Sequence, residues 1–304
     1  MSRVLVTGAS GFIGRALVPA LVAAGYDVRA AGRHTPPAFA PPVEAAIHGD
    51  LGASVEWRPL LTEVDFVVHL AGIAHTGSGV AAGRYDLVNH VATAALAKAA
   101  RTARVKRVVF VSTIRAQTGP RSDHVLTEDD PPRPTDPYGR SKLAGEAALA
   151  RSGVDFAVLR PVLVYGPGVK ANLRVLARLA ALPVPLPFAA FTNRRSVLSV
   201  HNLAAAIAHV LRHPASGGET YVVGDLQPVS LADMVTALRA GLGRAPKLIK
   251  APPGVVRVGL AMLGRGRTWD QLDGQLIVDP SKLISTGWRP DLDTAAGLAA
   301  IVRR

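Results

Sequence analysis

The chain has 304 residues, about twice a typical domain, which excludes a single small module and allows one enlarged α/β domain or two modest ones. Hydrophobic residues make up 49% and charged residues 19%, enough for a sizeable core, and the absence of cysteine removes disulfides, thiolate metal sites and a cysteine nucleophile. The net charge of +13 comes from 28 Arg against 7 Lys, scattered without a cluster of five like charges, so the basic stripe of a nucleic-acid surface is missing.

The start, Met1-Ser2-Arg3 followed by Val4-Leu5-Val6-Thr7-Gly8, is too glycine-interrupted for a secretory signal. The longest apolar runs, Phe66 to Ala74 and Pro183 to Phe191, fall short of the roughly 18 to 20 residues that cross a bilayer. The expected compartment is therefore the cytoplasm. Strands are predicted at Arg3 to Thr7, Asp27 to Ala31, Glu44 to His48, Asp65 to His69, Arg107 to Val111 and Asp155 to Leu159, with helices at Phe12 to Ala24, Gly83 to Ala103 and Pro137 to Ser152. Strands alternating with helices argue for α/β architecture: a Rossmann-type, doubly wound parallel sheet of six strands. After Arg160 the rhythm breaks. A helix is predicted near Ala171 to Ala181, a short strand near Ser196 to Val200, and helices at His201 to Arg212, Leu231 to Leu242 and Pro253 to Leu263. Residues 1–160 thus read as a dinucleotide-binding domain and 161–304 as mainly a smaller, mixed substrate-binding lobe, with some segments returning to the first domain.

The first strand runs into Gly8-Ala9-Ser10-Gly11-Phe12-Ile13-Gly14 at the start of a helix. A pyrophosphate needs free backbone N–H groups at a helix N-terminus and no side chain in its path, and this turn supplies both. An acidic residue closing the second strand, about 20 residues on, would hydrogen-bond an unphosphorylated ribose. That place reads Ala31-Gly32-Arg33. With no carboxylate to repel a 2′-phosphate and an arginine to bind it, the sequence favours NADP over NAD.

Tyr138-Gly139-Arg140-Ser141-Lys142 opens a later helix, and its i, i+4 spacing puts phenol and ammonium on one face. A fixed positive charge beside a phenol is expected to lower its pKa and make it a usable acid/base. Ser112-Thr113 follows the fifth strand, at the carboxyl ends of the strands where ligands of such sheets bind. His209 and His213 share metal-compatible spacing but have no carboxylate partner on their helix, so no metal is expected. Trp57, Trp269 and Trp288 are read as packing residues.

Together with His48-Gly49-Asp50-Leu51, His69-Leu70-Ala71-Gly72, Asn89, Leu159-Arg160-Pro161 and Val164-Tyr165-Gly166-Pro167-Gly168, these motifs resemble the extended short-chain dehydrogenase/reductase superfamily, in its sugar-nucleotide epimerase/dehydratase branch. Val169 to Leu173 and Asn193 to Ser196 are similar to segments of enzymes acting on C4 of UDP-sugars. The resemblance implies a cofactor lying along Gly8, Ser10, Gly11, Phe12, Ile13 and Gly14. From there it would pass Arg33, Asp50 and Leu51 and cross Leu70, Ala71, Gly72, Asn89, Tyr138, Lys142 and Pro161. It also implies that Thr113 and Tyr138 hydrogen-bond the sugar's C4 oxygen with Tyr138 as acid/base, that Lys142 holds the nicotinamide ribose, and that Asn172 and Arg195 grip the substrate pyrophosphate. A homodimer through the helices around Gly83 to Ala103 and Pro137 to Ser152 is implied in the same way.

Three departures narrow the activity. Ile114-Arg115 stands where the 4,6-dehydratases carry Asp-Glu, which excludes dehydration; the second strand lacks the acidic residue of NAD-retaining 4-epimerases; and Pro161-Val162-Leu163 stands where those epimerases often have Tyr-Phe-Asn. The expected activity is an NAD(P)-dependent reductase of a UDP-4-keto-sugar. A UDP-glucose/UDP-GlcNAc-type 4-epimerase is the alternative, and a dinucleotide-sensing regulator is the non-enzymatic one.

Overall fold

The structure, a computed structural model, describes residues 1–74, 80–169, 171–252, 254, 258, 262 and 274–303. Most of the predicted helix Pro253 to Leu263, Trp269 and the Asn172 side chain lie outside the described residues. In chain order come β1 (Arg3–Thr7), α1 (Phe12–Ala23), β2 (Asp27–Gly32), β3 (Glu44–Ile47), α2 (Trp57–Leu60), β4 (Phe66–His69), α3 (Ala82–Asp86), a π-helical turn (Leu87–Val91), α4 (Ala92–Thr102), β5 (Arg107–Val111), β6 (Val125–Leu126), α5 (Pro137–Arg151) and β7 (Phe156–Pro161). The chain continues through β8 (Leu163–Tyr165), α6 (Ala171–Ala180), β9 (Arg194–Arg195), β10 (Val197–Ser199), α7 (Val200–Arg212), β11 (Glu219–Val223), β12 (Val229–Ser230), α8 (Leu231–Gly241) and β13 (Ile277–Val278).

The central sheet has seven strands in the order β11-β7-β5-β4-β1-β2-β3, all parallel. The sequence predicts six. The seventh, β11, lies beyond the break in rhythm and pairs with β7 in the register Glu219 to Ala157, so part of the second half of the chain returns to complete the sheet. Helices cover both faces, which is why β1, β5 and β7 are nearly continuous buried runs whereas the edge strand β3 is mostly exposed. Val4, Val6, Leu17, Leu21 and Ile207 belong to the core on one face; Leu5, Trp57, Val67, Leu96 and Phe110 belong to that on the other.

The strand order reverses between β1 and β4, so the crevice beyond their carboxyl ends is the binding position of a doubly wound sheet. A separate core around Tyr165, Leu173, Phe191, Met234 and Leu298 organises the second lobe, where β8 pairs with β10 and β9 with β12. No helix among the described residues is long and apolar enough to cross a membrane.

Candidate active site

The turn after β1 shows why its residues are glycines. Gly8 has φ +71°, and a Cβ there would lie 2.8 Å from the Ala71 backbone nitrogen, so only glycine lets β1 pass this close to the chain leaving β4. A Cβ on Gly14 would fall 2.6 Å from both Ala9 Cα and the Ala9 carbonyl oxygen, which sets how closely α1 can approach the turn. Gly11 is the α1 N-cap, with no side-chain cap and no acidic residue in the first turn. The N-terminal N–H groups around Phe12 and Ile13 therefore start α1 without a side-chain acceptor, the arrangement that receives a pyrophosphate. This cradle fits a dinucleotide.

At the far end of the crevice, Arg33 is exposed just past β2 and Leu51 is buried. Asp50 is exposed, and its carboxyl is held below the usual range by the Gly52 N–H at 2.9 Å, by Arg84 Nη2 at 2.6 and 2.8 Å from its two oxygens, and by the field of Arg33. This edge is rich in guanidinium groups and its carboxylate is already engaged.

The π-helical turn between α3 and α4 carries Asn89 inward. Its Oδ1 accepts from the Ile73 N–H at 2.8 Å, and its Nδ2 donates to the Ile73 carbonyl and to Ser141 Oγ, both at 3.0 Å. Ser141 Oγ in turn donates to the Tyr138 carbonyl at 2.8 Å. Asn89 thus ties the chain after β4 to the first turn of α5. Beneath it His69 is fully buried, 2.7 Å from Thr7 Oγ1 through Nδ1 and 3.2 Å from Thr93 Oγ1 through Nε2. Thr93 already donates to the Asn89 carbonyl and Thr7 already accepts from the Ala71 N–H, so the consistent tautomer is neutral with the proton on Nε2. Burial, then the nearby Lys142 charge, push this imidazole down to about 3.

α5 begins where Asp136 accepts the Gly139 N–H at 2.7 Å and Pro137 fills the first turn, which places Tyr138 at the mouth of the crevice. Thr113 Oγ1 accepts from the Arg115 N–H at 3.2 Å, leaving its own proton for the hydrogen bond it makes with Tyr138. The expectation that Lys142 lowers the Tyr138 phenol is corrected here. Burial drives that phenol up to about 12, only partly offset by the Thr113 hydrogen bond. The Lys142 ammonium is instead committed to the Val111 carbonyl at 2.8 Å, lies 3.9 Å from the centre of the Phe110 ring, and is itself pushed down to about 7 by burial. Pro161, expected at the cofactor, is buried at the end of β7.

Behind this group stands a buried ion pair that the sequence reading missed. Arg160 Nη2 lies 2.6 Å from Glu146 Oε2, and its Nη1 donates to Gln117 Oε1 at 3.1 Å, while Ser112 Oγ donates to Glu146 Oε1. The available signal was a single arginine inside the apolar run of β7.

Arg195 is 8% exposed on β9 and its Nε has no hydrogen-bond partner among the described residues. Burial, joined by the charges of Arg115 and Arg121, lowers it to about 10. An anion is what such a group lacks. His209 and His213 stack at 4.9 Å, with His209 bonded to Thr286, and no group of three or more His, Asp or Glu among the described residues could hold a metal ion. Trp57 and Trp288 are buried, at 4% and 3% exposure.

Residues 4–224 match the NAD dependent epimerase/dehydratase family. A UDP-glucose 4-epimerase of Vibrio cholerae is 35% identical over 307 residues, covering 94% of this chain and 90% of the relative, and a ceramide reductase of Caulobacter vibrioides is 28% identical over 296 residues, covering 94% and 86%. Among solved structures, MoeE5 in complex with UDP-glucose and NAD superposes with a TM-score of 0.77 at 28% identity, over 99% of this chain and 97% of that one. A match across most of the sequence, on a sheet whose crevice is built for a dinucleotide, means that this chain belongs to the NAD dependent epimerase/dehydratase family of enzymes.

Proposed function

We propose that the protein reduces the 4-keto group of a UDP-linked sugar, preferring NADP as its cofactor. The arrangement that carries this reading is Tyr138 hydrogen-bonded to Thr113 at the mouth of the crevice, a phenol that burial raises and that is therefore suited to give its proton to a ketone oxygen. A 4-epimerase must first remove a proton, and its base would have to be prepared by ligand binding. That second reading is favoured by the 35% identical Vibrio cholerae relative.

When bound, the nicotinamide supplies hydride. The chain's own part is to bind, orient and protonate. Gly8, Ser10, Gly11, Phe12, Ile13 and Gly14 would hold the pyrophosphate of the cofactor, Arg33, Asp50 and Leu51 its adenosine end, and Leu70, Ala71, Gly72, Asn89, Tyr138, Lys142 and Pro161 its nicotinamide end. Thr113 and Tyr138 would bond the C4 oxygen, and Tyr138 would give it the proton. Arg195, with Asn172 from α6, would grip the substrate diphosphate, as suits a desolvated guanidinium. In this reading residues 1–160 bind the cofactor, and residues 161–304 mainly bind the sugar nucleotide. Two copies would meet through α3, α4 and α5, where Leu87 and Val91 are exposed, and the enzyme would work in the cytoplasm.

The deciding experiment supplies NADPH with a UDP-4-keto-sugar and, separately, NAD with UDP-glucose. Stoichiometric loss of NADPH with formation of the 4-hydroxy product is expected. Interconversion of UDP-glucose and UDP-galactose without net cofactor consumption would replace the reductase with the epimerase. Two predictions accompany it. Titration should show NADPH bound more tightly than NADH, with Arg33→Ala reducing the difference by about fivefold, the scale of one exposed charge contact; equal affinities in the unmutated protein would remove Arg33 from cofactor choice. UDP alone should bind, and Arg195→Ala should weaken it by about 1.5–3 kcal/mol, as for a charge-assisted hydrogen bond. Unchanged UDP affinity in that variant would place the diphosphate elsewhere.

A further inference from the structure

α5 carries Tyr138, Lys142 and Glu146 at successive four-residue intervals, so the three share one side of the helix. The first two serve the proposed reaction. The third is 6% exposed, and its carboxylate accepts from Ser112 at the end of β5 and from Arg160 on β7, through Nη2 at 2.6 Å and Nε at 3.2 Å. Arg160 is itself 6% exposed and Lys142 4%. Two cations are therefore buried on elements that converge on one carboxylate.

The groups around Lys142 show what that carboxylate does. From its own helix come Glu146 and the uncharged Tyr138 phenol; from β4 comes His69, fixed as the neutral imidazole; from β5 come the Phe110 ring and the Val111 carbonyl; and β7 adds Arg160, whose guanidinium is bound to Glu146. Glu146 lies one turn along the same side of α5, and its partner Ser112 follows Val111, the residue that accepts from Lys142, so its negative charge is placed to oppose the burial that disfavours the ammonium. Desolvation of a lysine with one hydrogen bond to a neutral carbonyl otherwise ends in the neutral amine.

We propose that Glu146 is a positioning residue that keeps Lys142 protonated, its carboxylate clamped between Ser112 and Arg160 so that one buried anion serves two buried cations. Burial already lowers Lys142 to about 7, so loss of the opposing carboxylate would shift it further towards the neutral amine. The role of that ammonium at the cofactor ribose rests on the proposed function; the charge relation does not.

The test reads Lys142 directly in the ligand-free protein, by titrating lysines labelled with carbon-13 at the ε carbon and assigning the signal with Lys142→Gln. The chain has 7 lysines, which keeps the spectrum simple. Glu146→Gln preserves the side-chain shape and removes the charge, and it should lower the Lys142 midpoint by about one pH unit or more, a tenfold change in the protonation constant. Ser112→Ala removes a hydrogen bond to the carboxylate but no charge, and should move the midpoint much less. If Glu146→Gln does not fold, Gln117→Glu decides instead: it adds a carboxylate where Arg160 Nη1 now meets an amide oxygen, and the Lys142 midpoint should rise. An unmoved midpoint in Glu146→Gln, or in Gln117→Glu where Glu146→Gln does not fold, overturns the proposal, because a purely structural Glu146 would leave lysine protonation alone. A lowered midpoint in a protein that reduces no nucleotide sugar would sustain the charge relation and overturn only the functional reading.

Discussion

Tyr138→Phe should lower turnover by about a hundredfold or more, the usual scale for losing a general acid, while NADPH binding and thermal stability stay near those of the unmutated protein. The separation is expected because the phenol oxygen's partner is Thr113, whose hydroxyl already accepts from the Arg115 N–H, so removing the phenol oxygen leaves the backbone anchored. The ring would keep its packing against Tyr85, at 6.1 Å between centroids. The pH profile of ketone reduction adds a sign. Burial raises Tyr138 to about 12 and lowers Lys142 to about 7, so the rate is expected to fall as pH rises through about 7 and Lys142 loses its proton, with Tyr138 still protonated. Steady-state rates, NADPH titration and melting curves on the two proteins check the prediction. Near-normal turnover in Tyr138→Phe would remove it from the chemistry.

Arg160→Met is expected to destabilise the fold by about 3–5 kcal/mol, the penalty for removing one hydrogen-bonded partner of a buried ion pair. Methionine fills much of the same volume, so the loss would come from the Glu146 carboxylate stranded among buried groups with Ser112 as its remaining donor. Gln117 would lose its guanidinium partner as well. Urea unfolding with an unchanged slope would measure the loss. The double variant Arg160→Met/Glu146→Leu should recover part of it, since removing both charges also removes the uncompensated one. A cost below about 1 kcal/mol for Arg160→Met would mean that the pair behaves like an exposed one.

The first half of the fold was legible because its signals are local. Parallel strands buried on both faces read as continuous apolar runs, and β1 and β5 occupy the predicted residues, Arg3–Thr7 and Arg107–Val111. β11 was not legible, because Glu-Thr-Tyr-Val-Val becomes a sheet strand only through pairing with β7, some sixty residues earlier. A run averaged at 3.6 residues per turn also hides the single wider turn at Leu87–Val91, so Gly83 to Ala103 reads as one plain helix although that turn carries Asn89. At the site, spacing gave the Tyr138–Lys142 pair and the sign of the lysine charge. It gave no measure of desolvation, which is the largest influence on both groups. Lys142 and Glu146 at i, i+4 would ordinarily read as an exposed helix pair; Glu146 faces inward because Arg160 waits there on a strand from another part of the chain.

The late return of β11 also limits how this protein can be rearranged. After β10 the chain goes back to the sheet as α7 and β11, leaves it again for β12 and α8, and then packs the helix Ser281–Ser285 against β11. A cut after Arg160 would strip the sheet of an outer strand and of α7, whose Ile207 and Val210 belong to the same core as Val4 and Val6. The second lobe is consequently not a cassette. Grafting it from a relative would need several junctions, each crossing shared core, so if the proposed site is right, side-chain changes around β9 and α6 are a simpler route to new substrate preferences than exchange of whole segments.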